Sequence, residues 1–157
     1  MKAITICQPF AELIIRGVKP VENRVWRTDY RGPLLIHAGK SRDWLTLDST
    51  QSVDVDYGIP IDAMAFGAVI GIATLTYCHS TSYLRGRGCD DALRYLRDNP
   101  HTEGPYCFVL ENPRRFSSPI PCRGMQGLFD VPELTRRIVE DELRKLSEAR
   151  MPANVAS

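Results

Sequence analysis

Two stretches decide the fold: Ile4-Thr5-Ile6-Cys7-Gln8-Pro9-Phe10-Ala11, and Gly17-Val18-Lys19-Pro20-Val21-Glu22-Asn23-Arg24 with Val25-Trp26-Arg27 directly behind it. The first opens in β-branched residues, so residues 2–7 read as a strand. Pro9 suits the first turn of a helix. Phe10, Leu13, Ile14 and Gly17 then recur at the spacing of one helical face. Gly17 suits the left-handed residue just past the last turn, and Pro20 forbids continuation. The charged run therefore begins in a sharp loop and enters a second strand. Alternate residues of a strand share a face, which predicts that Glu22, Arg24 and Trp26 point the same way. Lys19 and Arg27 fall outside that alternation and join them only through loop geometry.

These residue types supply cations, an acceptor-only carboxylate and a flat stacking surface, the parts of a nucleotide pocket. Each also has a structural reading. Lys19 suits a phosphate or a polarised carbonyl, or is a solvated loop lysine. Glu22 can accept from the exocyclic amine of a base, or brace Lys19 and Arg24. Arg24 forks onto phosphate or clamps Glu22, since a half-buried guanidinium needs a carboxylate nearby. Trp26 is a stacking platform or barrel core, and Phe10 leans to core. Gln8 reads a base edge or caps the helix. Arg27, Lys40 and Arg123 are further candidate phosphate contacts, whereas Arg31, Arg85 and Arg87 read as peripheral cations.

The fixed positions Gly17, Lys19, Glu22 and Arg24 spell GxKxxExR, and the pattern resembles the hallmark of the ASCH domain family within the PUA-like superfold. The opening strand with its Gln8-Pro9-aromatic turn is similar to that family's start. So is Tyr30-Arg31-Gly32-Pro33 running into Ile36-His37-Ala38-Gly39-Lys40, and Gly67 to Gly71. The closing run from Gly104 through Pro121-Cys122-Arg123-Gly124 to Gly127-Leu128-Phe129 is similar too. The likeness covers residues 2–130, and leaves out an insert at 80–103 and the tail after 132. Many relatives carry Arg where this chain has Cys7, which removes one cation from the expected pocket. The resemblance implies an α+β fold, a small PUA-like β-barrel with peripheral helices and a C-terminal helix. It implies nucleic-acid binding, RNA favoured over DNA, at residues Gln8, Lys19, Glu22, Arg24, Trp26, Arg27, Lys40 and Arg123. The alternative is a hydrolase at the same cleft, a ribonuclease or a small nucleoside amidohydrolase, with Lys19 and Glu22 as an acid–base pair. The amidohydrolase relatives place threonine where Glu22 stands, and a carboxylate does not replace a hydroxyl nucleophile.

The 157 residues carry a formal charge of only +1, so bulk electrostatics announce no polyanion partner. Locally, however, residues 16–42 are strongly basic, and residues 43–62 hold aspartates without a cation. The five cysteines are odd in number and lack CxxC spacing, and the three histidines are scattered. No disulfide framework, metal site or cofactor is expected. No apolar run is long enough for a bilayer, and Lys2 leads directly into a strand, so a cytoplasmic protein without a secretory segment is expected. Residues 34–38 and 65–78 read as core strands, and 41–61 as a polar loop with at most one helical turn. Residues 90–98 read as a short helix with Ala92, Leu93 and Leu96 inward, and 106–111 and 127–131 as strands. The proline-led helix from 132 carries a Leu134, Ile138 and Leu146 stripe. The expected division is a barrel domain over 1–131 and a helix with its tail over 132–157. That stripe either packs on its own domain or serves a protein partner or self-association.

Overall fold

The structure, a computed structural model, describes residues 1–49 and 52–150. The end of the expected tail, residues 151–157, lies outside them. Strands β1 (Lys2–Ile6), β2 (Val21–Arg24), β3 (Gly32–Ala38), β6 (Ala68–Ser80), β7 (Tyr106–Pro121) and β8 (Leu128–Asp130) form one curled, half-barrel sheet in the order β2-β7-β6-β3-β1-β8. Helices α1 (Phe10–Ile15), α2 (Thr81–Arg85) and α3 (Glu133–Glu148) pack around it, giving a mixed α+β domain. β1 runs parallel to β3 and antiparallel to β8, and β6 pairs antiparallel with both β3 and β7.

The period-two alternation of the strands divides the core between the two faces of the sheet. Ile4, Ile6, Leu34, Ile36, Leu75 and Phe108 turn inward against Ala11 and Ile14 of α1. Ala3, Leu35, Ile72, Phe116, Ile120 and Phe129 turn the other way, against Val139 of α3. A third cluster joins Val21, Cys107 and Val109 to Leu84, Cys89, Leu93 and Leu96, so the 80–103 insert docks on the sheet by its own apolar residues. In that insert Ala92 faces solvent, contrary to expectation, because Asp91–Leu96 forms a 3-10 helix rather than an α-helix and turns a different edge inward.

Two further expectations are corrected. The polar segment after β3 is not a plain loop: β4 (Val53–Asp54) pairs with β5 (Ile59–Pro60), closed by Gly58 N–H donating to Asp54 O at 2.7 Å. On α3, Leu134 and Ile138 are exposed, and the stripe that meets the sheet is Thr135, Val139, Glu142, Leu143 and Leu146. Its polar centre is Glu142, which accepts from Ser117 N at 2.6 Å and Ser117 Oγ at 2.8 Å, with Lys145 Nζ at 2.6 Å. An acid that reads as surface thus fastens the helix. Lys145 and the Ser117 donors hold its carboxyl below the usual range.

Among the described residues no helix is long and apolar enough to cross a membrane. Cys78, Cys89 and Cys107 are buried, Cys7 and Cys122 half-buried, and all five are free thiols.

Candidate nucleic-acid interface

α1 ends as its sequence dictates: Gly17 takes φ +76°, and Val18 N–H and Lys19 N–H both return to Leu13 O, at 2.9 and 3.2 Å. This tight exit drops Lys19 back under the helix, where it is only 4 % exposed. Its ammonium donates to Val21 O at 2.5 Å and Glu22 Oε2 at 2.9 Å, and lies 5.6 Å from the Phe10 ring centroid. Lys19 is therefore no solvated loop lysine.

Glu22 is buried too. Its second oxygen, Oε1, meets Arg24 Nη2 at 3.0 Å, so one carboxylate sits between two cations. Arg24 Nη2 also donates to Thr5 O at 2.6 Å. β2 and β8 are the free edges of the curled sheet, and this guanidinium bridges β2 to β1 on the inner side where no backbone ladder runs. Asn23, the residue between, is equally engaged. Its Nδ2 donates to His101 O at 2.8 Å, and its Oδ1 accepts from Gly104 N at 2.9 Å. The hallmark strand thereby pins the end of the 80–103 insert beside the hallmark itself.

A cavity of about 750 Å³ opens over this floor, lined by Lys19, Glu22, Asn23 and Arg24 and walled by aromatic rings. Phe10 pairs with Trp44 at 6.1 Å between centroids, and Tyr57 stacks on His101 at 6.2 Å and 26°. Trp44 is 63 % exposed and Tyr57 38 %. These wall residues escape a reading by motif. Trp44 and Tyr57 stand in the acidic 43–62 segment, and His101 in the insert. The sequence carries no separating signal for them: the tryptophan and the tyrosine stand amid aspartates but beside Leu45 and Val55, neighbours that suit a core ring as well as a surface one. Burial, then Asp56, Asp54 and Glu103, push the Tyr57 phenol up. Burial, then Lys19, lower the His101 pKa against Glu103. Cys7 also lines the cavity, its thiol pushed up first by burial and then by Glu22.

The other candidates are placed differently. Gln8 is fully buried, donating to Ala65 O and accepting from Glu12 N, both at 2.9 Å. It sits behind the cavity as a clasp between α1 and the irregular segment leading to β6. Trp26 packs edge-on against Phe108 at 5.0 Å, at the margin of the core, and is not among the residues that line the cavity. The alternation that places Glu22 and Arg24 together ends at Arg24, where β2 stops. Arg27 is exposed and lines neither this cavity nor the hollow beside it. Lys40 and Arg123 do come together, in that second hollow, which shares Thr5 and Arg24 with the first. Arg85, read as peripheral, is exposed and lines neither cavity, and it donates to Thr102 O at 2.6 Å within the insert.

The family model described as the ASCH domain matches residues 4–120. Activating signal cointegrator 1 from Homo sapiens and its counterpart from Mus musculus are each 25% identical over 154 residues, covering 93% of this chain and 25% of the relative. The chain thus spans about a quarter of the length of the curated relatives it matches. The crystal structure of a point mutant of the ASCH protein from Zymomonas mobilis superposes with a TM-score of 0.52 at 18% identity, over 89% of this chain and 96% of that one. That likeness is one of fold.

Proposed function

The chain belongs to the ASCH domain family, and from that premise we propose that it binds single-stranded nucleic acid, RNA in preference to DNA, by taking one unstacked base into the cavity above the hallmark. The observation that carries the reading is the pairing of an exposed ring wall, Trp44 with Phe10 and Tyr57 with His101, and a buried charged floor. Aromatic faces hold an unstacked base without demanding its identity, at about 1–3 kcal/mol per base. The floor supplies the polar edge. Lys19 has three N–H groups, two of them engaged by Val21 O and Glu22, and the third serves a carbonyl or phosphate oxygen. Arg24 spends Nη2 on Thr5 and Glu22, and its Nη1 remains for the strand's backbone.

In this reading the Lys19–Glu22–Arg24 triad shapes the cavity first and touches the ligand second. Both carboxylate oxygens of Glu22 are held by cations, which favours the brace over an acid–base role. The test is titration of a fluorescent single-stranded RNA with wild type and Trp44→Ala at two salt concentrations. Expected are salt-dependent binding, its weakening by Trp44→Ala, and quenching of tryptophan fluorescence in wild type alone. Equal affinity of the two proteins would remove the ring wall from the interface.

A further inference from the structure

The second hollow, about 920 Å³, is large enough for a whole nucleotide. It lies between the ends of β1 and β3 and the turn over residues 122–126, and it meets the first cavity at Thr5 and Arg24. Lys40 and Arg123 stand exposed on it, and neither makes an ion pair among the described residues. Cations grouped without carboxylates repel one another, an arrangement that an anion relieves.

Its floor carries a second signal. His37 is only 1 % exposed, and its Nε2 lies 2.9 Å from Cys122 O. A nitrogen facing a carbonyl must bear the proton. Burial lowers the pKa of this imidazole, so at neutral pH Nδ1 is a bare lone pair, and it has no partner. Thr5 Oγ1 is unpartnered as well. Buried polar groups are ordinarily satisfied; here His37 Nδ1 calls for a donor, while the Thr5 hydroxyl can donate or accept. Gly124 covers both: a Cβ there would stand 2.7 Å from Thr5 Oγ1 and 2.9 Å from His37 Nδ1. With no side chain at that point, Thr5, His37 and Gly124 together line the hollow.

Resting on the base-binding reading of the first cavity, we infer that this hollow seats the next nucleotide of the same strand. The phosphate between the two residues lies among Arg24, Lys40 and Arg123. The second base is one with an exocyclic amino group (adenine, cytosine or guanine, but not uracil), which donates to His37 Nδ1 while Thr5 Oγ1 serves a neighbouring edge atom. The site then reads a dinucleotide, with Arg24 as the partition between its halves.

The experiment follows the His37 ring by NMR during titration with the RNA dinucleotide ApA and, as a control, the nucleoside adenosine. In parallel, ApA affinity is measured for wild type, Trp44→Ala and the exposed double variant Lys40→Glu/Arg123→Glu. Expected are a His37 shift with ApA but not with adenosine, and an affinity loss on the order of tenfold in the charge-reversed protein. If ApA binds and responds to Trp44→Ala while His37 stays silent and charge reversal changes nothing, the second seat is wrong and the first cavity stands. If neither ApA nor longer RNA binds, both readings fall together.

Discussion

Removing the Glu22 carboxylate should expose the logic of the hallmark most directly. In Glu22→Ala, Lys19 and Arg24 lose the anion between them, and Lys19 is 4 % exposed, with Val21 O its one remaining partner. Deleting one member of a buried ion pair costs about 3–5 kcal/mol, because the survivor is left charged and out of water. Here Val21 O and Thr5 O continue to hold the two cations, which points to the lower end. A loss of about 3 kcal/mol in a domain of this size lowers Tm by roughly 6–12 °C. Glu22→Gln should fall between: the amide oxygen still accepts from one cation, but its NH2 faces the other. The double variant Lys19→Met/Glu22→Leu should recover part of the loss, since the buried ammonium leaves with its carboxylate and only the half-buried Arg24 is left without its anion. Urea unfolding and thermal melts of the four proteins decide the matter. A Glu22→Ala protein within about 0.5 kcal/mol of wild type, the cost of a surface pair, would refute the picture of a buried brace.

Further expectations follow from the same geometry. Trp44→Ala should weaken single-stranded RNA binding by about 1–3 kcal/mol with Tm unchanged, because the indole is 63 % exposed; affinity by anisotropy beside a thermal melt checks both halves. Gly124→Ala should destabilise the fold, since the new Cβ would stand 2.7 Å from both Thr5 Oγ1 and His37 Cε1; a urea midpoint equal to wild type would count against that packing. Stability should also fall on mild acidification. His37, His79 and His101 all have folded pKa values below their ordinary 6.5, in each case chiefly through burial. The unfolded chain therefore binds more protons in that window, and stability is complete above pH 6.5 and lost as pH falls toward the folded values. Glu142 adds a separate loss below about 4.5, so a Tm profile that stays flat from about pH 7 to 5 would contradict the histidine contribution.

The sequence made the scaffold legible where local chemistry and tertiary context agree. α1 ends where Gly17 takes positive φ at no steric cost and Pro20 cannot continue a helix, and alternation in β1 and β3 sorts Ala3 and Leu35 from Ile4 and Ile36 onto opposite faces. It misled where the two diverge. On α3 the apolar Leu134 and Ile138 stand outside, and the acid Glu142 stands inside because β7 offers it Ser117 N and Oγ. Periodicity scores residues by polarity and has no access to a partner far along the chain. The same blindness hid the cavity walls, where Trp44 and Tyr57 of the acidic segment meet His101 of the 80–103 insert.

That division bears on what the hallmark is for. Lys19, Glu22, Asn23 and Arg24 spend most of their hydrogen bonds on the protein: Val21 O, Thr5 O, His101 O, Gly104 N and one another. A strand so committed builds a cavity of fixed shape and leaves few groups for recognition. Under the base-binding proposal, recognition falls to what the neighbouring loops bring over it, here Trp44, Tyr57 and His101, which line the cavity. If the hallmark is the frame and the loops are the reader, exchanging wall residues should change which strand is bound while the melt stays put. Hallmark substitutions should lower stability and affinity together. A hallmark variant that loses RNA binding with an unaltered melt would reverse those roles.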